Sequence, residues 1–434
     1  MCFQRRLLFV SLAWAAIISV QGKGLCGDAA GDQREWAPRE FPLVAWGGPP
    51  GELNNEANWK IIKDGGYTVG LSAGSNVAER RKTLDICKKI GIPVFVSDQR
   101  ITPDMTAKPG WQKVLAETIA DYRHPALYGS YGWDEPTSDL FSRLGAISDE
   151  FRKQAPDLLL HLNIFPNYAT PEQLGTPTYR EHVERFVSTV NPQVLCFDNY
   201  SVMANGTIRP NYFENLAMIR EYALKSRRPA WMFIFSLSAP FNDLAVPSEG
   251  EMRFQAFTAL AYGMKGILYW VYWPCPPLVT SAVVDVKGRP TRLYPIIKRL
   301  NGDIRAIGRT LLALTSTGTY HVGPIPPGAT RLPLDAPLQL AGDRPLVVGF
   351  FVDRGKNQYA LVANADPHRA VDFTIAAHPE VKRLLALSPR DGTPSSVALS
   401  NGKAAYHLQA GDGRLFRLET EFKYPEPTKP KSCG

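Results

Sequence analysis

From Pro42 onward the sequence repeats one unit eight times: a short apolar run, then a stretch with helical periodicity. The runs are "FPLVAWGG", "YTVGLSA", "IPVFVSD", "ALYGSYGWDE", "LLLHLNIFP", "VLCFDNYS", "AWMFIFSLS" and "GILYWVYW". Between them lie amphipathic stretches such as "VAERRKTLDICKKIG", "WQKVLAETIADYR" and "SEGEMRFQAFTALAYGMKG". The runs are continuously apolar rather than alternating, as strands of a parallel sheet covered on both faces must be. Gly65–Gly66, Gly91 and Gly266 stand between helix and strand, where a C-terminal helix stop is expected. Eight strand–helix units over about 270 residues predict a (β/α)8 barrel across residues 42–314, closed by the long amphipathic segment "RLYPIIKRLNGDIRAIGRTLLAL". An open doubly wound sheet would more naturally carry a glycine-rich phosphate loop after its first strand. The corresponding segment, "AWGGPPGELNN", has glycines interleaved with prolines at the wrong spacing and reads as a turn.

After about Thr315 the texture changes to short strand-like runs ("GTYHVG", "PLVVGFFV", "NQYALVANA", "AVDFTIA", "VKRLLAL", "GRLFRLE") broken by Gly, Pro, Asp and Asn. This predicts a small all-β sandwich over 315–422, with "IPPGATRLPLDAP" as a loop and 423–434 as a Pro- and Lys-rich tail. A chain of 434 residues is also too long for one hydrophobic core, which rarely extends past ~250–300 residues. At the other end, Arg5 and Arg6 precede an apolar core of about 14 residues, too short for a comfortable membrane span and suited to a signal peptide. Residues 1–22 are therefore expected to be removed, leaving 23–41 as an extension and sending the protein to the periplasm or outside the cell with no stable membrane insertion. The alternative is an uncleaved N-terminal anchor.

Without Arg5 and Arg6 the chain has 47 basic and 41 acidic residues, interspersed along the helices rather than in runs. That pattern describes a solvated surface and argues against a nucleic-acid partner. Cys26, Cys87, Cys196, Cys275 and Cys433 are widely spaced and form neither a disulfide framework nor a zinc motif. Cys87 and Cys196 read as core thiols, and Cys26 could pair with Cys433. The sequon Asn205-Gly-Thr207 would carry a glycan if the source is eukaryotic.

In a barrel of this kind, functional groups stand where strands end at the C-terminal face. The fourth run ends in Asp134-Glu135-Pro136. Proline restricts its predecessor to extended geometry, which would hold Glu135 at the rim beside Tyr131 and Trp133. Partial desolvation there suits a carboxyl group to general acid work. Asp134 either joins it or caps the helix expected to start near Thr137. Other strand ends supply Asp198, Asn199 and Tyr200 (sixth), His161 and Asn163 (fifth), Asp98 (third), Trp46 (first) and Trp270, Tyr272 and Trp273 (eighth). Rings mixed with acids and amides are what a pyranose needs: apolar faces to stack on and partners for its hydroxyls. Each has a structural alternative. Asp98 could pair with Arg100, His161 could fill the core, and alternate residues of "LYWVYW" must face the helix layer.

The barrel, the Glu ending strand four and the tryptophan-rich strand eight resemble the clan of (β/α)8 glycoside hydrolases that includes β-galactosidases, β-glucosidases and cellulases. "VDVKGRPTRLYPIIKRLNGDIRAIGRTL" and "LQAGDGRLFRLE" are similar to the barrel-closing segment and last sandwich strands of its bacterial members. The resemblance covers Pro42 to about Glu419 and implies Glu135 as general acid/base. Two departures stand out. The clan has Asn-Glu at strand four where this chain has Asp134-Glu135. Its nucleophile is a Glu ending strand seven, whereas here that stretch reads "AWMFIFSLSAPFND", with Glu249 and Glu251 falling in the first turn of the next helix. The second carboxylate is then Asp198, as in α-glycosidase barrels built with Asp on strands four and six. Otherwise it is Asp134 paired with Glu135 as in hexosaminidase-like barrels, or Asp243 from the loop after strand seven.

The expected function is secreted glycoside hydrolysis with Glu135, Asp198 and Asp134 as catalytic residues, a carbohydrate as partner and no cofactor. The alternatives are a carbohydrate-binding barrel without activity, and a metal-dependent hydrolase or lyase using His161, Asp98 and Asp198. The chain has only 7 His and no His-x-His or His-Glu-x-x-His spacing, so no metal site is expected.

Overall fold

The computed structural model describes residues 36–238, 244–277, 279 and 281–422. The segment expected to be a signal peptide, Cys26, Cys433, Asp243 and residues 423–434 lie outside the described residues. Eight parallel strands, β1 (Leu43–Ala45), β2 (Val69–Leu71), β3 (Val94–Ser97), β4 (Leu127–Asp134), β5 (Leu159–Ile164), β6 (Leu195–Asp198), β7 (Ala230–Phe235) and β8 (Ile267–Trp270), form a closed barrel in chain order, with β8 paired to β1. Each predicted apolar run supplies one strand. The protein is thus a TIM barrel followed by antiparallel β-sheets.

The outer layer comprises α1 (Glu56–Asp64), α2 (Val77–Ile90), α3 (Trp111–Tyr122), α4 (Phe141–Gln154), α5 (Pro171–Leu174), α6 (Tyr179–Arg185), α7 (Tyr212–Ser226), α8 (Glu249–Ala261) and α9 (Leu293–Ala313). Local chemistry sets their ends. Asn76 accepts from the Glu79 N–H to start α2, and Gly91, at φ +74°, stops it. Ser248 and Glu251 form a reciprocal capping box on α8. Gly266 is not the stop of α8: the helix ends at Ala261, Gly263 takes the positive φ, and a Cβ on Gly266 would meet the Trp231 indole at 2.8 Å. Along α9, Leu293, Ile297, Leu300, Ile304, Ile307 and Leu311 are buried at alternating steps of four and three, one continuous apolar stripe. Among the described residues no helix is long and apolar enough to cross a membrane.

The second unit contains β9 (Thr315–Val322), β10 (Leu338–Gly342), β11 (Leu346–Val352), β12 (Gln358–Asn364), β13 (Val371–Ala377), β14 (Val381–Leu387), β15 (Pro394–Ser396), β16 (Lys403–Leu408) and β17 (Gly413–Thr420). A three-stranded sheet, β10-β13-β16, faces a six-stranded one, β15-β14-β17-β12-β11-β9. The strands β10, β15 and β16 were not expected from the sequence. Their exposed Ala, Gly, Ser and Lys positions lack the dense branched residues that mark the others. Val348, Phe350, Val362 and Phe416 fill the space between the sheets. On the opposite face of the larger sheet, Val347, Leu361, Ala363 and Leu415 join the barrel's core cluster. The close approach requires Gly349, where a Cβ would stand 1.9 Å from the Ala261 carbonyl oxygen at the end of α8.

Cys87 and Cys196 are buried and free, whereas Cys275 is in a disulfide, a pairing its spacing did not suggest. Polar groups also lock the two units together. Arg253 on α8 donates to Asp303 on α9 at 2.7 Å and to Asp412 beside β17 at 2.9 Å. Burial holds the Asp303 carboxyl above its usual range, while Arg253 opposes that shift. Removing the cation would leave two partly buried carboxylates facing each other. Arg253→Met is therefore expected to destabilise the full chain by about 2–4 kcal/mol, read as a lowered urea midpoint. An unchanged midpoint would show that the cluster does not hold the junction.

Candidate active site

The strand β4 reaches the barrel mouth through a bulge. Its pairing with β5 slips between Tyr131 and Trp133, so that Trp133 lies opposite Leu162 and Asp134 opposite Asn163. Gly132 sits at the slip, where a Cβ would come within 2.8 Å of the Leu162 side chain. One residue on, the Glu135 N–H donates to the Asn163 carbonyl at 2.9 Å. Glu135 is not extended as Pro136 led us to expect: its φ is +45°. Proline excludes the right-handed helical region for its predecessor, and the bond to Asn163 fixes the backbone turn. A left-handed non-glycine residue of this kind costs about 1–3 kcal/mol and is concentrated at functional sites. Asp134 does not cap the following helix either. A single turn at Ser138–Leu140 starts after Thr137, and α4 starts after Leu140.

Asn163, almost fully buried on β5, links the neighbouring strands. Its amide nitrogen donates to Asp134 Oδ1 at 3.1 Å and to Asp198 Oδ1 at 3.0 Å. Two bonds of that length from one nitrogen keep the two carboxyl oxygens within about 6 Å of each other. Asp198, ending β6, is 5% exposed, whereas Asp134 is exposed and Glu135 is intermediate. Phenols stand within electrostatic reach of the three acids. Burial pushes the Tyr131 hydroxyl well above its ordinary range, and the charges of Asp134, Glu135 and Asp198 push it the same way. Tyr200 is raised by burial and by the same three charges. Tyr168 is raised by burial, with Asp198 and Glu135 adding to it and Arg209 opposing.

Of the predicted aromatic ligands, Tyr200 and Trp270 form one platform. Their rings stack 5.4 Å apart at 19°, and both are only half-buried. The strand β8 ends at Trp270, and the Trp270–Val271 peptide is cis. The structure does not bring the remaining candidates to this group. Trp46 is buried in the barrel, edge-on to Tyr131 at 4.9 Å and Phe233 at 4.8 Å. Tyr272 is buried against Tyr67, and the buried Trp273 packs under the Gly288 turn. Asn199 is turned to the helix layer, donating to Asn215 on α7 at 2.9 Å. Asp98 is occupied by structural partners: it accepts from Arg80, from Tyr122 and from Arg100, which reaches it through its backbone N–H, Nε and Nη2. Those bonds outweigh burial and hold its carboxyl down to about 2.

His161 lies inside the barrel among Trp46, Phe95, Tyr131, Trp231 and Phe233, and neither ring nitrogen has a hydrogen-bond partner among the described residues. Asp98, His161 and Asp198, the set a metal-dependent reaction would use, thus do not converge. Among the described residues no group of three or more His, Cys, Asp or Glu is placed to hold a metal ion. Two further residues, Tyr168 and Arg209, stand beside the acids and were not expected from the sequence. Tyr168 follows β5 in the unremarkable string "FPNYAT", and Arg209 lies in the β6–α7 connection just past a hairpin pairing Val202 with Ile208, whose Asn205-Gly206 turn was the one local signal of it.

No family model and no curated protein sequence matches the chain. Solved structures that match include glycoside hydrolases. An α-amylase from Anoxybacillus aligns with a TM-score of 0.51 at 8% identity, over 89% of this chain and 99% of its own. A family 27 β-L-arabinopyranosidase from Geobacillus stearothermophilus aligns with a TM-score of 0.51 at 10% identity, over 92% of this chain and 100% of its own. A Bacteroides fragilis protein assigned as an α-galactosidase aligns with a TM-score of 0.52 at 9% identity, over 88% and 80%. At such identities the likeness establishes a shared fold, the (β/α)8 barrel, and no more.

Burial keeps His161 neutral, its pKa lowered to about 3, and lowers those of His182 and His321 to about 4. The unfolded chain takes up these protons near pH 6.5 and the folded chain does not. Stability is therefore present above about pH 6.5 and is lost as pH falls, by about 1.4 kcal/mol per pH unit for each histidine until its folded value is passed. His161→Leu is expected to flatten this acid slope by about one histidine's share while changing stability near pH 7 by less than about 1.5 kcal/mol. Urea midpoints at about pH 7 and about pH 4.5 measure both. An unaltered slope would mean that His161 is charged or hydrated in the fold.

Proposed function

We propose that the protein is a secreted glycoside hydrolase that cleaves glycosidic bonds of a poly- or oligosaccharide by carboxylate acid/base catalysis. The observation carrying this reading is the Asn163 amide shared between Asp134 and Asp198, with Glu135 held at positive φ beside them. Crowded like charges oppose full ionisation, so a cluster of acids can supply one proton donor and one ionised partner. In this reading Glu135 protonates the departing glycosidic oxygen. Asp198, oriented by Asn163, attacks or stabilises the anomeric carbon as the C–O bond breaks. Asp134 holds the other side of the Asn163 amide. If Asp198 attacks, a glycosyl ester forms, and Glu135, now ionised, takes a proton from the water that cleaves it. The Tyr200–Trp270 platform gives a sugar ring a flat apolar face. Export with loss of residues 1–22 completes the proposal, and N-terminal sequencing of the exported chain checks it.

The test is a panel of aryl glycosides and polysaccharides with purified wild type, Glu135→Gln and Asp198→Asn. Both variants are expected to lose about 10³-fold or more in kcat/KM with fold retained. Glu135→Gln should lose less on a dinitrophenyl leaving group, which departs without a proton. Asn163→Ala is expected to lower kcat by about 10- to 100-fold while moving KM little, because it loosens both carboxylates. Wild-type rates in Glu135→Gln would sink the proposal. Sugar binding without turnover by wild type would instead mark a binding barrel.

A further inference from the structure

Arg209 follows the hairpin in which Val202 pairs with Ile208, between β6 and α7. Its guanidinium carbon lies 4.1 Å from the centre of the Tyr168 ring, and its Nε donates to the Tyr200 carbonyl at 3.3 Å. Its backbone N–H donates to the Ser201 carbonyl at 2.8 Å. A ring on one face and a carbonyl on one edge fix the plane of the guanidinium. No carboxylate among the described residues pairs with it, unlike Arg100 and Arg253, whose amino groups meet aspartates at 2.7–3.0 Å. Its two anchors, Tyr168 and Tyr200, are the phenols that feel Asp198 and Glu135, and Tyr200 is half of the aromatic platform. A preoriented guanidinium with open amino groups, beside a surface for a sugar ring, is chemistry suited to an oxyanion bound through two parallel N–H bonds. A neutral hydroxyl needs no such fork. Without residues 1–22 the formal charge is still about +6, which favours an anionic ligand over a cationic one at longer range.

We propose that the saccharide this site takes carries an anionic substituent, a uronic acid carboxylate or a sulfate ester, which Arg209 binds beside the Tyr200–Trp270 platform. The proposal rests on the glycoside hydrolase reading of the same site. Arg209 acts in binding, so its loss should appear mainly in KM.

The experiment compares aryl uronides, sulfated aryl glycosides and their neutral congeners as substrates for wild type, Arg209→Lys and Arg209→Met, with thermal melts to confirm folding. Wild type is expected to prefer one anionic class by about tenfold or more in kcat/KM. Arg209→Met should abolish that preference through KM, and Arg209→Lys, which keeps charge but not the fork, should restore part of it. The class preferred distinguishes carboxylate from sulfate. Equal rates on neutral and anionic congeners, or a preference unchanged in Arg209→Met, would overturn the proposal while leaving the hydrolase reading intact. Should wild type hydrolyse none of them, calorimetric titration with oligouronates and sulfated oligosaccharides decides. Binding that Arg209→Met abolishes would uphold the anion site and remove the hydrolase reading, and no binding would remove both.

Discussion

The mouth of the barrel is organised by one side chain and its own backbone. Asn163 gives its carbonyl to the Glu135 N–H and its amide to Asp134 and Asp198. Only the middle of three adjacent strands allows this. Because the barrel closes in chain order, β5 lies between β4 and β6, about 4.8 Å from each. A residue at its C-terminal end can therefore reach the last residues of both neighbours. The slip in β4 sets the register that places Asp134 opposite Asn163; without it, the alternation of side chains would turn Asp134 to the other face.

Support for that arrangement comes from below and from outside. Beneath the acids, Trp46, Tyr131, His161 and Phe233 close the barrel with edge-to-face rings, a packing that resists displacement of the strands that carry them. Outside, α8 is the shared wall. It covers β7 on one side and receives the larger sheet of the β-domain on the other, so that residues of both units fall into one apolar cluster. The β-domain is thus part of what keeps the last quarter of the barrel in place. Gly349 and Arg253 mark the two requirements of that contact, closeness and charge neutrality.

Much of the fold was legible because a buried parallel strand can hardly avoid being a continuous apolar run, and capped helices separate such runs. The weak strands β10, β15 and β16 were not, since their stability comes from neighbours rather than from their own residues. At the site, a strand-end position tells which residues are near the mouth but not which way they face. Asp198 and Asn163 turned inward. Asn199, one residue further along, turned outward to Asn215, as alternation requires. Asp98 was placed by charge: Arg80 and Arg100 outbid any role at the mouth, and Arg100 is visible two residues away in the sequence, whereas Arg80 is not. Glu135 inverted the usual consequence of a following proline because a tertiary bond, invisible locally, fixed its N–H.

The placement of the acids departs from the strand-four and strand-seven pair that the sequence resemblance led us to look for. A strand-four and strand-seven pair faces across the barrel, whereas Asp134, Glu135 and Asp198 occupy one sector, the ends of β4 to β6. Concentrating negative charge in one sector raises the cost of keeping every acid ionised. Trp270 from β8 meets Tyr200 after β6, and Arg209 lies over Tyr168; burial raises the pKa values of both phenols, and Asp198 and Glu135 raise them further. A polar ligand entering such a mouth would meet an asymmetric field, acidic on one side and aromatic and basic beside it. In the proposed reading, that asymmetry is what would orient the ligand over the carboxylates.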